Sequence, residues 1–453
     1  MGTTGRWLAR GASAVVMCAL AVSVTGAPTG AAAAGPARVS PAPAAGTPAL
    51  APSGTAEQVR QLVQCGGTMY AVGSFTRISQ GGVTYQRDNV FSFSATAPYR
   101  ITSWAPGVNG TVNSIALASD CSRAYIGGSF TRVAGASAAD IASISTARAA
   151  LVPGWAHHAN AAVDTVLRTP NGHLLVGGKF TAINGSGRRY YVSLSLSTGR
   201  DDGYLNLHVS GHYSFPGADQ NQTAVYNQQL SPGGAQVLAE GTFNRVAGDA
   251  RQQIFMLNLG SHGNVSDWYS PEFSRFCAAD HPFYVKAAAW SPDGSTVYVA
   301  TTGFHPEGWR STFPLTGLCD AVAAFPATRT GGLAHEWVNY TGCDSLSSVA
   351  ADYGAVYAGG HERWGDNPRG CNAAGPGAIP SPGMGGYAPG RTGGRLLTGS
   401  GGTGMYSRGR GMGADQMLIT RAGLWIASDN LDGTDTCGGA GGHAGICLLP
   451  YPA

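Results

Sequence analysis

From about residue 57 the chain alternates short apolar runs with polar turns. Val112 to Leu117, Val163 to Leu167 and Val285 to Trp290 are runs of this kind. Pro170-Asn171-Gly172 and Ser291-Pro292-Asp293-Gly294 close the last two. Runs this short, broken by Gly, Pro and Asn, predict strands rather than helices, and the turns predict hairpins.

After each turn one signature returns. Its strong copies are Tyr70-Ala-Val-Gly-Ser-Phe75, Tyr125-Ile-Gly-Gly-Ser-Phe130, Leu175-Val-Gly-Gly-Lys-Phe180 and Leu238-Ala-Glu-Gly-Thr-Phe243. Three weaker copies follow. Tyr298-Val-Ala-Thr-Thr-Gly-Phe304 carries one inserted residue, Tyr357-Ala-Gly-Gly-His-Glu362 lacks the Phe, and Trp425-Ile-Ala-Ser-Asp-Asn430 keeps only the pattern. Phe75 and Asn430 lie 355 residues apart over six intervals, about 59 each. Aromatic residues (Trp104, Trp155, Tyr204, Trp268 and Trp337) mark the starts of several repeats. A unit of this length with about four short strands cannot bury both faces of its sheet alone. Seven arranged radially can, and closure protects their edges. The expected fold is therefore all-β, a seven-bladed β-propeller over residues 57–453. Ring closure is expected from pairing of Gln58 to Gln64 with a C-terminal strand near Ile446 to Leu449. A β-helix or sandwich is the runner-up.

Composition supports this and excludes other classes. Of 453 residues 68 are Gly, and only 12% are charged; average usage is about 7% Gly and about 25% charged. Helical bundles do not tolerate so much Gly. Disorder does not fit 9 Trp, 18 Tyr and 14 Phe.

The N-terminus reads as an address. Arg6 and Arg10 precede an apolar run from Ala12 to Val24 and small residues at Ala31 to Ala34, which predicts a signal peptide over 1–34 and secretion by the general (Sec-type) route. No stretch reaches the length of a transmembrane helix. Residues 35–56, rich in Ala and Pro, are expected to be a flexible linker. The formal charge of +3 falls to +1 without the signal, so a nucleic-acid partner is not expected. Only two lysines occur, Lys179 and Lys286, against 26 arginines, a bias ascribed to coding. Eight cysteines remain in the mature chain: Cys65, Cys121, Cys277, Cys319, Cys343, Cys371, Cys437 and Cys447. An even number in a secreted chain predicts disulfides, and no C-x-x-C spacing suggests zinc. Cys65 and Cys121 occupy matching turns of neighbouring repeats, which suggests that they pair. Cys277–Cys319, Cys343–Cys371 and Cys437–Cys447 are the remaining hypotheses.

The repeats, with Ser291-Pro-Asp-Gly294, Trp337-Val-Asn-Tyr-Thr-Gly-Cys-Asp-Ser345, Gly359-Gly-His-Glu-Arg-Trp364 and Gly423-Leu-Trp-Ile-Ala-Ser-Asp-Asn430, resemble a secreted actinobacterial β-propeller family with delta-60-like GGxF repeats. The resemblance spans about residues 57 to 451. It implies fold and location, and brings no catalytic residues and no assigned function.

Three groups of residues could carry chemistry. Aligning the turns places Arg60, Asn113, Asp164, Tyr226, Lys286, Ser347 and Gln416 near one end of a central channel, where a polar funnel suits a ligand and equally suits ordered water. His361, Glu362 and Asp366 gather polar groups where other repeats have Gly-x-Phe, a metal or sugar site or a plain loop. Asp429, Asp432 and Asp435 alternate as calcium ligands do, although an Asp-Gly turn explains them too. Calcium is the one cofactor left open; no other is expected. A hydrolase would need two close acids, for example Asp164 with Asp344. The Gly-rich stretch at about 365–416 is expected to be an insertion capping one face. These features favour a secreted, non-enzymatic monomer that binds an extracellular glycan or protein ligand. An extracellular polysaccharide hydrolase or lyase and a structural cell-envelope component are the alternatives.

Overall fold

The computed structural model describes residues 38–213, 222–278, 281–303, 317–408, 414–430 and 443–452. Seven antiparallel sheets of three or four strands form the blades in chain order, and smaller sheets lie between them. The inner strands of the blades are Gln58–Cys65, Thr111–Leu117, Val163–Arg168, Val225–Leu230, Tyr284–Trp290, Leu346–Ala351 and Ala414–Thr420. Each inner strand lies beside the next, and the seventh lies beside the first. The chain is a seven-bladed β-propeller.

The signature forms the second strand of each blade, and its two glycines have different duties. A Cβ on Gly127 would sit 2.3 Å from Val163 Cγ1 in the next blade, and one on Gly128 would sit 2.1 Å from the Thr111 carbonyl of its own inner strand. The first glycine lets neighbouring blades touch, and the second lets the hairpin close. The signature aromatics fill the space between blades. Trp425, Ile446 and Leu448 of blade 7 pack with Val59, Leu62, Phe91 and Phe93 of blade 1. Trp104 meets Tyr70 edge-on with ring centroids 5.1 Å apart, an arrangement that suits the ring quadrupoles.

A further repeat lies in the backbone. The residue just before each third strand has positive φ: Asn89, Asp140, Tyr190, Gln253, Asp320, Gly383 and Gly445. In blades 1 to 4 its N–H donates to the carbonyl of the signature Phe (Phe75, Phe130, Phe180, Phe243), and its carbonyl accepts from the signature glycine. Two side chains reinforce the corner, with Asn89 Oδ1 accepting from Phe75 N and Asp140 Oδ1 from Phe130 N, both at 3.0 Å.

Three expectations are corrected. The C-terminal strand Ile446–Pro450 pairs with Gly423–Ser428 of its own blade, not with Gln58–Gln64. Its outer edge is covered by the segment expected to be a flexible linker: Ser40 N donates to Pro450 O at 2.7 Å, Ala44 N to Leu448 O at 2.8 Å, and Leu50 N to Ala444 O at 2.9 Å. Val39 and Leu50 are buried, and Ala49–Leu50 also pairs with Arg77–Gln80 of blade 1. The edge carbonyls of the last strand need donors, and this Ala/Pro segment supplies them. The Gly-rich stretch is not simply a cap. Met384–Tyr387 within it is the third strand of blade 6, and the Trp337 ring packs so close to Gly394 that a Cβ there would lie 2.5 Å from it.

Disulfides join Cys65 to Cys121, Cys277 to Cys319 and Cys343 to Cys371. Cys447 is disulfide-bonded as well; Cys437, its expected partner, lies outside the described residues.

Candidate functional site

All seven inner strands carry a β-bulge near their start. In blade 1 Val59 pairs with Gly73 and Gln61 with Val72, which leaves Arg60 unpaired. The residues skipped in blades 2 to 6 are Asn113, Asp164, Tyr226, Lys286 and Ser347. In blade 7 the skipped residue is Asp415. A bulge re-aims the side chain it frees. Here all seven side chains line one central cavity of about 540 Å³, within the roughly 300–1,000 Å³ common for ligand pockets.

The aligned position in blade 7 is therefore Asp415, and Gln416 is the residue after it. Gln416 also lines the cavity, but its Oε1 accepts the Leu62 N–H of blade 1 at 2.7 Å. Gln61 does the same for Ile115 N at 2.6 Å, and Ser114 Oγ for Val166 N at 3.0 Å. The residue after the bulge thus stitches its blade to the next, satisfying an N–H that lies two residues past the bulge there.

The charges on the wall alternate. Blades 1, 3, 5 and 7 contribute Arg60, Asp164, Lys286 and Asp415, and blades 2, 4 and 6 contribute Asn113, Tyr226 and Ser347. Lys179, just past the end of the second strand of blade 3, joins the lining. Lys179 stands where blades 1, 2 and 4 have Ser74, Ser129 and Thr242, a departure that could have been read from the sequence. Among the described residues no ion pair joins any of these five charged groups to a partner. The Lys286 ammonium lies 5.5 Å from the centre of the Tyr226 ring, and the Tyr226 hydroxyl donates to the Val285 carbonyl. Asn113 Nδ2 donates to Asp164 Oδ1 at 3.3 Å. The second oxygen of Asp164 and that of Asp415 are buried without a hydrogen-bond partner.

Burial governs the protonation of these groups. It pushes Asp164 up to about 6 against the opposing pull of Lys179, Arg60 and Lys286. Burial likewise pushes Asp415 up to about 7, with Asp429 adding to the rise while Arg60, Gln58 and Lys286 oppose it. Lys286 is lowered by the same desolvation, with Asp415 and Asp164 opposing and Arg60 adding to the fall.

No protein-family model matches the chain, and no curated protein does. Solved structures similar to it include U3-55K, at 11% identity and a TM-score of 0.49 over 90% of this chain and 99% of that one. Another is the WD40 repeats of RRP9, at 10% identity and a TM-score of 0.47 over 91% and 99%. Both are likenesses of fold.

The other candidates are not brought together. His361 is exposed, whereas Glu362 is fully buried in the place of the signature Phe, with neither carboxyl oxygen hydrogen-bonded. Successive residues of an extended chain point to opposite sides, which separates the two. Desolvation raises Glu362 well above the ordinary carboxylate range. Asp366 accepts from Asn339 Nδ2 and from Leu396 N, a structural corner. Asp429 is buried and bridges to Gln58; Asp432 and Asp435 lie outside the described residues. Among the described residues no three His, Cys, Asp or Glu side chains form a metal-binding group. The acidic pair Asp164 and Asp344 is not assembled either. Asp344 is clamped by Arg363, with Nη2 at 2.7 Å from Oδ1 and Nε at 2.9 Å from Oδ2, and does not line the cavity.

Proposed function

We propose that the chain is a secreted, non-enzymatic monomer of the delta-60-like propeller type, which binds an extracellular glycan at the mouth of its central channel. The observation that carries this reading is the convergence of seven bulged residues on one cavity. A backbone needs no bulge to close a hairpin, and seven in register turn a row of side chains inward. A cavity of about 540 Å³ suits the end of a saccharide better than the face of a protein. Three disulfides, together with the signal-like N-terminus, favour the extracellular setting.

The hydrolase reading keeps one specific support: Asp164 and Asp415 both line the cavity with raised pKa values, as paired acids of unequal role often do. One experiment separates the two readings. The purified mature chain is incubated with a glycan and cell-wall panel, and retention and product release are both scored. Binding predicts retention without product, weakened by Arg60→Ala and Asn113→Ala. Product that disappears in Asp164→Asn or Asp415→Asn would transfer the reading to catalysis. Retention unchanged in Arg60→Ala and Asn113→Ala would place the ligand elsewhere.

A further inference from the structure

We propose that the saccharide held in the channel carries an oxyanion, a carboxylate or a phosphate, and that Arg60, Lys179 and Lys286 grip it. This rests on the channel-mouth reading and gives it a ligand class.

The argument begins with composition. The chain has two lysines in 453 residues, and both line the same cavity. Coding bias accounts for the scarcity of lysine and says nothing about where the survivors stand. They come from different blades and different positions, Lys179 just past the end of a second strand and Lys286 from an inner-strand bulge. Arg60 joins them from a third blade.

These cations share the cavity with Asp164 and Asp415, which act on them across it, but among the described residues none is locked to a carboxylate in an ion pair. Lys286 lies over the face of Tyr226. All three side chains are solvent-exposed at the cavity wall, so an incoming anion can reach them without first displacing a protein partner. The two carboxylates of the cavity are engaged elsewhere in part. Asp164 gives one oxygen to Asn113, and its other oxygen, like one of Asp415, is shut away from solvent with no donor. Three cations thus face two carboxylates, and the cavity carries a net positive charge even with both acids ionised. Around the charged groups stand Asn113, Ser347, Thr242, Thr302 and Gln229, neutral donors and acceptors that suit sugar hydroxyls. Lysine ammoniums act as compact point charges with three donors, and Arg60 offers a planar fork, so both oxyanion types are served.

The test is calorimetric titration of the mature chain at pH 6 and low salt. The ligands are tri-galacturonate, a hexose phosphate and the neutral galactose trisaccharide. One or both anionic ligands should bind at least about tenfold more tightly than the neutral one, the ratio expected of one charge-assisted contact; which of them binds identifies the oxyanion. Binding should weaken as salt is added to the unchanged protein, a readout that needs no variant. Lys179→Gln and Lys286→Gln should each cost about tenfold for the anionic ligand and little for the neutral one. Equal or tighter binding of the neutral sugar, or indifference to salt, would overturn the oxyanion assignment and leave the channel mouth as the site. No binding by any of the three sugars, with no retention on the glycan panel, would remove both.

Discussion

Single buried acids set the protein's response to pH. Glu240 replaces a signature glycine and lies fully buried, with neither carboxyl oxygen hydrogen-bonded; burial pushes it up to about 8. Asp320, the left-handed residue of blade 5, is likewise pushed up by burial to about 8, although its Oδ1 accepts from Gly303 N at 2.7 Å. On unfolding both return to about 4. Between about pH 4 and 8 the folded chain therefore holds protons that the unfolded chain releases. The stability they confer is complete below about pH 4 and is lost as pH climbs through about 8. Asp164 and Asp415 act in the same direction, and the acids held low, Asp120, Asp202, Glu272 and Asp293, are ionised in both states above about pH 5. The melting temperature should fall from pH 5 to pH 9, and Glu240→Gln should flatten the slope. A melting temperature that rises over this range, or an unaltered slope in the variant, would contradict the account. At this scale the sequence was legible where Glu362 broke its own repeat; Lys179 breaks it as well, but a single Lys for Ser or Thr does not by itself mark a channel residue. The sequence misled at Asp415 because the bulge follows Val in blades 1 to 5 but Ala414 in blade 7, which removes the landmark and shifts the alignment by one.

Among the elements, the second strands and their glycines hold the hairpins shut. Gly128→Ala would place a methyl group 2.1 Å from the Thr111 carbonyl, whereas nothing lies within 4 Å of a Cβ on Gly67 in the preceding hairpin turn. Overpacking of this kind costs about 1–3 kcal/mol. Thermal unfolding should show a clear loss for Gly128→Ala and almost none for Gly67→Ala, and equal behaviour would mean that the blade relaxes around the methyl. The hairpins were plain in the sequence because their turns and apolar runs are local. The left-handed corners were not, since Asn, Asp, Tyr, Gln and Gly all fill them and share only a backbone conformation. The third strand of blade 6 was hidden for a related reason. Met384-Gly-Gly-Tyr387 reads as loop, and its identity comes from pairing with Val356–Gly360.

Over the whole molecule, the ring is closed from outside as well as from within. The N-terminal segment ties blades 6, 7 and 1 together: Tyr406 Oη donates to Val39 O at 2.9 Å, Val39 N donates to Tyr357 Oη at 3.0 Å, and Ala49–Leu50 reaches the first blade. Its Ala/Pro composition concealed this, because the two residues that anchor it, Val39 and Leu50, are a small share of the segment. The same ring brings together charges that are far apart in sequence. Arg60 and Asp415 are 355 positions apart and line one cavity. The lysine inventory makes that cavity readable by chemistry alone. Amine acetylation of the folded mature chain, quantified by mass spectrometry at Lys179 and Lys286 with and without an acidic saccharide, reads occupancy directly. The account predicts that both lysines are protected together by the acidic sugar and far less by its neutral counterpart. Equal labelling with and without the acidic sugar, at concentrations where it binds the protein, would contradict it.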